Sequence, residues 1–79
     1  MAMQSTTFRA GETIFHEGSD AKSLFLMKVG RVSIRKTVDD GFIEIAQVGP
    51  NQIIGEIGFF DARPRSADSL ALTYCEVVE

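Results

Sequence analysis

Residues 53 to 67 read Ile-Ile-Gly-Glu-Ile-Gly-Phe-Phe-Asp-Ala-Arg-Pro-Arg-Ser-Ala, and their spacing suits the capture of an anion. Strand-like alternation stops at Gly55, and the stretch before Pro64 has room for about one helical turn. The first amide N–H groups of such a turn lack partners of their own and attract negative charge. Gly55 and Gly58 carry no Cβ, so a ligand can come close to the backbone there. Pro64 fixes its own φ and biases Arg63 toward an extended conformation, which ends the turn and sends Arg65 into a strand. Arg65 then offers a planar fork of donors matched to two phosphate oxygens, and Ser66 adds a hydroxyl. Glu56 only accepts hydrogen bonds, so it suits sugar hydroxyl protons and not the phosphate. An acid and an arginine at this spacing also occur as structural ion pairs. Only the combination is specific.

Other chemistries lack their residues. His16 is the single histidine and Cys75 the single cysteine, so neither has the companions that a metal site requires. No serine stands in a recognisable nucleophilic motif, and no paired acids suggest hydrolysis, so neither an enzyme nor a cofactor is expected. Cys75 reads as a buried thiol in a reducing, cytoplasmic setting. Eight Lys and Arg against eleven Asp and Glu give a net charge of −3. The largest cationic group, Arg31, Arg35 and Lys36, reads as the solvated face of one strand, which argues against direct nucleic-acid binding. Gly55-Glu56-Ile57-Gly58 also fits the two-glycine loop of an RNA-binding fold, but that loop needs a helix on each side and a β-rich run precedes it here. No apolar run approaches the ~18 residues of a membrane-spanning helix, and the first residues do not resemble a signal peptide.

Strands must position the candidate cradle. The chain has 79 residues, enough for one domain over 1–79, with residues 1–5 expected to be disordered or left from cloning. Seven glycines fall between short apolar runs, the spacing of an all-β barrel or sandwich. Arg9 to Glu12 reads as a turn and Thr13-Ile14-Phe15 as a strand. Ser23 to Val29 is apolar on both alternating faces, so it is expected to be covered on both sides. Gly30 suggests a tight hairpin into Arg31–Arg35, where Val32 and Ile34 point inward. Asp39-Asp40-Gly41 is the strongest turn signal, leading into a strand over Phe42–Val48. Ser69 to Val78 supplies the last β-prone stretch.

Taken together, these residues resemble a cyclic nucleotide-binding domain, the module of cAMP receptor proteins, kinase regulatory subunits and nucleotide-gated channels. The resemblance covers roughly residues 8 to 78. It rests on the Phe8–Glu12 and Ile14–Gly18 turns, on Leu24–Val32, and above all on Gly55-Glu56-Ile57-Gly58-Phe59-Phe60 followed by Pro64-Arg65-Ser66-Ala67. It implies a jelly-roll-like antiparallel β-barrel that binds a cyclic nucleotide, cAMP favoured over cGMP, as a regulatory sensor. Gly55, Glu56, Ile57, Gly58, Arg65, Ser66 and Ala67 become the ligand-binding set. By resemblance, Arg65 pairs with the cyclic phosphate, Glu56 accepts the ribose 2′-hydroxyl, and backbone amides near Gly55 and Ala67 complete the cradle.

Two departures from the family are legible. Asp68 stands where many relatives carry an uncharged residue; facing the cradle it would repel phosphate, although alternation turns it away from Arg65. The family also closes the site with a helix after the barrel, whereas this sequence stops at Glu79. Without that lid, binding is expected to be about ten- to a hundred-fold weaker, with self-association covering the bare apolar surface. The alternative is a barrel that serves only interaction or oligomerisation and no longer responds to nucleotide.

Overall fold

The structure is a computed structural model that describes residues 4–21, 23–55 and 63–79. Glu56, Ile57, Gly58 and the expected helical turn lie outside the described residues. Among the described residues, eight strands follow in order: β1 (Ser5–Phe8), β2 (Thr13–Phe15), β3 (Phe25–Val29), β4 (Val32–Val38), β5 (Gly41–Val48), β6 (Ile53–Ile54), β7 (Asp68–Ala71) and β8 (Cys75–Val78). They form two four-stranded sheets, β1-β8-β3-β6 and β2-β7-β4-β5. Every pairing is antiparallel. This is the all-β jelly-roll arrangement that the sequence suggested.

Gly30 does not make the hairpin expected of it. β3 pairs with β8 and β6, while β4 pairs with β7 and β5, so at Gly30 the chain leaves one sheet for the other. A second crossing, between β7 and β8, lies beside the first. Leu72 N–H donates to Arg31 O at 2.9 Å and Arg31 N–H to Thr73 Oγ1 at 3.1 Å, so each crossing satisfies the other's backbone. Gly30 has φ +95°, and a Cβ there would lie 2.2 Å from the Tyr74 carbonyl oxygen. The glycine permits a close approach of two backbones rather than a two-residue loop.

Alternation elsewhere becomes core. Phe25 and Met27 of β3, Val32 of β4, Ile54 of β6, Ala71 of β7 and Cys75 and Val77 of β8 form one buried cluster. Cys75 is a buried free thiol, as its β-prone neighbours indicated. The expectation that β3 is covered on both sides fails: Leu26 is half-buried, and Lys28 and Val29 are exposed. Two four-stranded sheets offer a single inner face each, so the other face of β3 meets solvent. Ser5, the last of the residues expected to be disordered or left from cloning, opens β1 opposite Val78. The Asp39-Asp40 turn joins β4 to β5 as expected, with Val38 opposite Gly41. The stretch from Ser69 to Val78 divides into β7 and β8 at the second crossing.

Two irregularities stand out, the first of them at the cavity. The β4–β5 register shifts between Ile34, opposite Ala46, and Arg35, opposite Glu44, leaving Ile45 as an extra residue. This bulge resets the phase of β5 so that Ala46 and Val48 share a cavity wall with Ile34. Ser69 is fully buried on β7, and its hydroxyl has no partner among the described residues.

The crossing at Gly30 generates a test. Gly30→Ala and Gly11→Ala both force a side chain into a left-handed φ, but nothing lies within 4 Å of a Cβ at Gly11. Urea unfolding should show Gly30→Ala costing about 1–3 kcal/mol more than Gly11→Ala, because a backbone carbonyl cannot rotate away. Equal losses contradict the tight crossing.

Candidate functional site

Among the described residues, Arg65 is the one charged residue in the buried set, with 5% of its surface exposed. Its main chain is clasped by the turn after β2: Gly18 N–H donates to Arg65 O and Arg65 N–H donates to Ser19 O, both at 2.8 Å. The side chain reaches into the interior. There Nη1 donates to Gly55 O and Nη2 to Ser23 O, each at 2.8 Å. The guanidinium lies over the Phe15 ring at 4.5 Å and nearer the edge of cation–π range from Phe25, at 5.5 Å. Those two rings are themselves stacked, 6.0 Å apart with 22° between their planes.

This environment is apolar, and the charge within it has no ion-pair partner among the described residues. Nε is buried with no hydrogen-bond partner in the described structure. Burial pushes the Arg65 pKa below its ordinary value, while Glu79 opposes the shift from a distance. A guanidinium still keeps its proton, since its ordinary value lies far above neutrality. The result is a permanent cation with two carbonyl partners and unused donors. Its solvation is incomplete among the described residues, which is the condition an anionic ligand would relieve.

Space for that anion adjoins it. A cavity of about 200 Å³ is lined by Arg65, Gly55, Ser66 and Ala67 together with apolar side chains of β2, β4, β5 and β6. Gly55, with φ +84°, permits the arrangement: a Cβ there would stand 2.3 Å from Nη1 of Arg65. Glycine at this position therefore serves the arginine directly, besides leaving the backbone accessible. Four residues of the expected set, Gly55, Arg65, Ser66 and Ala67, thus meet at one cavity. Glu56, Ile57 and Gly58 lie outside the described residues.

Asp68 faces the other way. Its Oδ1 accepts the Glu17 N–H at 2.7 Å and stands 4.0 Å from His16 Nδ1, on the outer side of the β2-β7-β4-β5 sheet. The carboxylate is therefore turned from the cavity, as strand alternation required. His16 is a surface residue at a strand end. Sequence reasoning missed the aromatic floor of Phe15 and Phe25, the Ser23 carbonyl and the clasp from residues 18 and 19. Phe15 and Phe25 were readable only as inward strand positions; the other three contacts use backbone atoms and leave no trace in residue type.

Comparison with known proteins agrees with this fold. The family model described as "Cyclic nucleotide-binding domain" matches residues 5–79, and the chain belongs to that family. A cAMP-dependent protein kinase type II regulatory subunit of Drosophila melanogaster is 36% identical over 89% of this chain, and 19% of its own length is covered. The crystal structure of the N-terminal domain of a transcriptional regulator from Streptomyces coelicolor A3(2) superposes with a TM-score of 0.89 at 38% identity, covering 96% of this chain and 55% of that one. The EAL enzyme Bd1971 has been solved in cAMP-bound and cGMP-bound forms. These superpose with TM-scores of 0.90 and 0.91 at 30% identity, covering 96% of this chain and 21% of theirs. The chain spans about a fifth to a third of the length of the curated relatives it matches.

The contact between Gly55 and Arg65 yields a prediction. Gly55→Ala should drive the guanidinium off the Gly55 carbonyl and lower stability by about 2–4 kcal/mol, combining left-handed strain with a lost charged hydrogen bond. Denaturant unfolding and a crystal structure of the variant check this. An unmoved guanidinium at unchanged stability contradicts it.

Proposed function

We propose that this domain binds a cyclic nucleotide as a non-catalytic regulatory module, with cAMP preferred over cGMP. The observation that carries the reading is the buried Arg65 guanidinium on the wall of an apolar cavity, with no carboxylate partner among the described residues. A cyclic phosphate diester carries one negative charge and exposes two oxygens, which a guanidinium fork accommodates. Arg65 neutralises it, and main-chain N–H groups near Gly55 and Ala67 supply further donors. Glu56 takes the ribose 2′-hydroxyl, an assignment that rests on its place in the sequence motif. Ile57, Gly58 and Ser66 complete the set. The cavity is smaller than the ~300–1,000 Å³ of a typical drug-sized site. It houses the ribose and phosphate, and the base extends beyond its mouth. The role assigned to cAMP draws support from the fly kinase subunit, whose name is cAMP-dependent, while Bd1971 accepts both nucleotides.

One rival has its own observation. The two carbonyl bonds of Arg65 tie the end of β6 to the segment before β3, which is what a purely structural strut does. A barrel of that kind serves interaction alone and ignores nucleotide.

Thermal unfolding separates the two readings. Cyclic nucleotide at a hundred times its Kd adds about 2.7 kcal/mol to the folded state. In a domain of this size that raises Tm by on the order of 10 °C. Arg65→Ala should remain folded and show no shift with cAMP or cGMP, while AMP should shift neither protein. Equal shifts in wild type and Arg65→Ala overturn the site assignment; no shift in either favours the strut.

A further inference from the structure

The main chain that carries Arg65 is held at two successive residues by different groups. Arg65 is clasped by Gly18 and Ser19, as described. The next carbonyl, Ser66 O, accepts a hydrogen bond from Lys36 Nζ at 3.1 Å. Lys36 lies on β4, and its ammonium stands 3.4 Å from Glu17 Oε2. Glu17 is fixed in turn: its Oε1 accepts the Thr37 N–H at 3.3 Å, and its own N–H donates to Asp68 Oδ1 at 2.7 Å. A closed bracket results, running from the turn after β2 to β4, to Ser66, and back through Asp68. Ser66 lies on the cavity wall, whereas the bracket stands outside it.

We infer that Lys36 is a positioning residue for anion capture, fixing the Ser66 peptide that follows Arg65, with Glu17 holding the ammonium in place. The inference rests on the cyclic nucleotide reading given above. Residues 66 and 67 belong to no strand, so sheet pairing does not constrain them until β7 begins at Asp68. No strand partner fixes the carbonyl at that point, and its rotation carries the Ala67 N–H with it because the peptide is planar. Lys36 blocks that rotation. Preorganised donors bind an anion better than donors that must first be ordered. The same bracket gives Asp68 its use: a carboxylate beside a phosphate strand costs nothing when it is committed to Glu17 on the far face.

A competing account makes Lys36 a second positive charge that attracts phosphate through space. The two accounts predict opposite effects at Glu17. If Lys36 positions, Glu17→Gln loosens it and weakens binding. If Lys36 acts by charge, Glu17→Gln unmasks it and tightens binding.

Calorimetric titration of cAMP into wild type, Lys36→Met, Lys36→Arg and Glu17→Gln tests this, with amide hydrogen exchange of Ser66 and Ala67 followed in the same proteins. We expect affinity about three- to tenfold weaker in Lys36→Met, a smaller loss in Glu17→Gln, and recovery in Lys36→Arg. Faster exchange at 66 and 67 should accompany the weaker binding even without ligand. Tighter binding by Glu17→Gln, or unchanged affinity in Lys36→Met while wild type binds, overturns the positioning role and leaves the parent reading intact. A wild type that binds no cyclic nucleotide overturns both.

Discussion

A guanidinium buried in an apolar interior is costly unless its charge is met, and Arg65 sits at that point in this domain. Two carbonyl oxygens meet part of its demand, and the faces of Phe15 and Phe25 offer a polarisable floor. Neither neutralises a full positive charge. A buried carboxylate would do so, but it would also cancel the attraction for any anionic ligand. Among the described residues the cation is held by neutral dipoles, with only the more distant charge of Glu79 acting on it, so it stays fixed in direction and in want of a counter-charge. That compromise sets the demands on the surrounding fold.

Those demands explain features that packing alone leaves unaccounted for. Gly55 has to lack a side chain so that Nη1 can reach its carbonyl. The turn after β2 has to present Gly18 N–H and Ser19 O at matching height, because Arg65 precedes β7 and has no strand partner there. The bulge at Ile45 brings Ala46 and Val48 to the cavity wall, small and half-buried respectively, where an uninterrupted β5 would place their neighbours. The paired crossings at Gly30 and Leu72–Tyr74 join the two sheets. Stability and the placement of Arg65 thus share one scaffold.

The local part of this design was legible in the sequence. Thr13–Phe15, the inward Val32 and Ile34 of β4, the Asp39-Asp40 turn and the buried Cys75 all follow from residue pattern over a few positions, whereas the full burial of Ser33, between Val32 and Ile34, does not. The Gly30 reading failed because a glycine between two apolar runs signals a sharp change of direction without saying which strand comes next to which. That choice is made by β7 and β8, some forty residues away. β1 was missed because Ser5, Thr6 and Thr7 carry no apolar alternation, and they are strand only through pairing with β8. At the site, the glycine and arginine were readable from their chemistry and spacing. The contacts that aim them were not, since Ser23, Gly18, Ser19 and Gly55 act through backbone atoms that every residue possesses.

The central claim, that Arg65 awaits an anion, is most directly tested by nuclear magnetic resonance of the arginine side chains. In protein labelled with ¹⁵N arginine, titration with cAMP should move the Arg65 Nε–H resonance downfield and slow its exchange with solvent. The ³¹P resonance of the nucleotide should shift in step. Arg65 signals that stay unchanged while the nucleotide saturates the protein, or a ³¹P signal indifferent to the protein, would contradict the account.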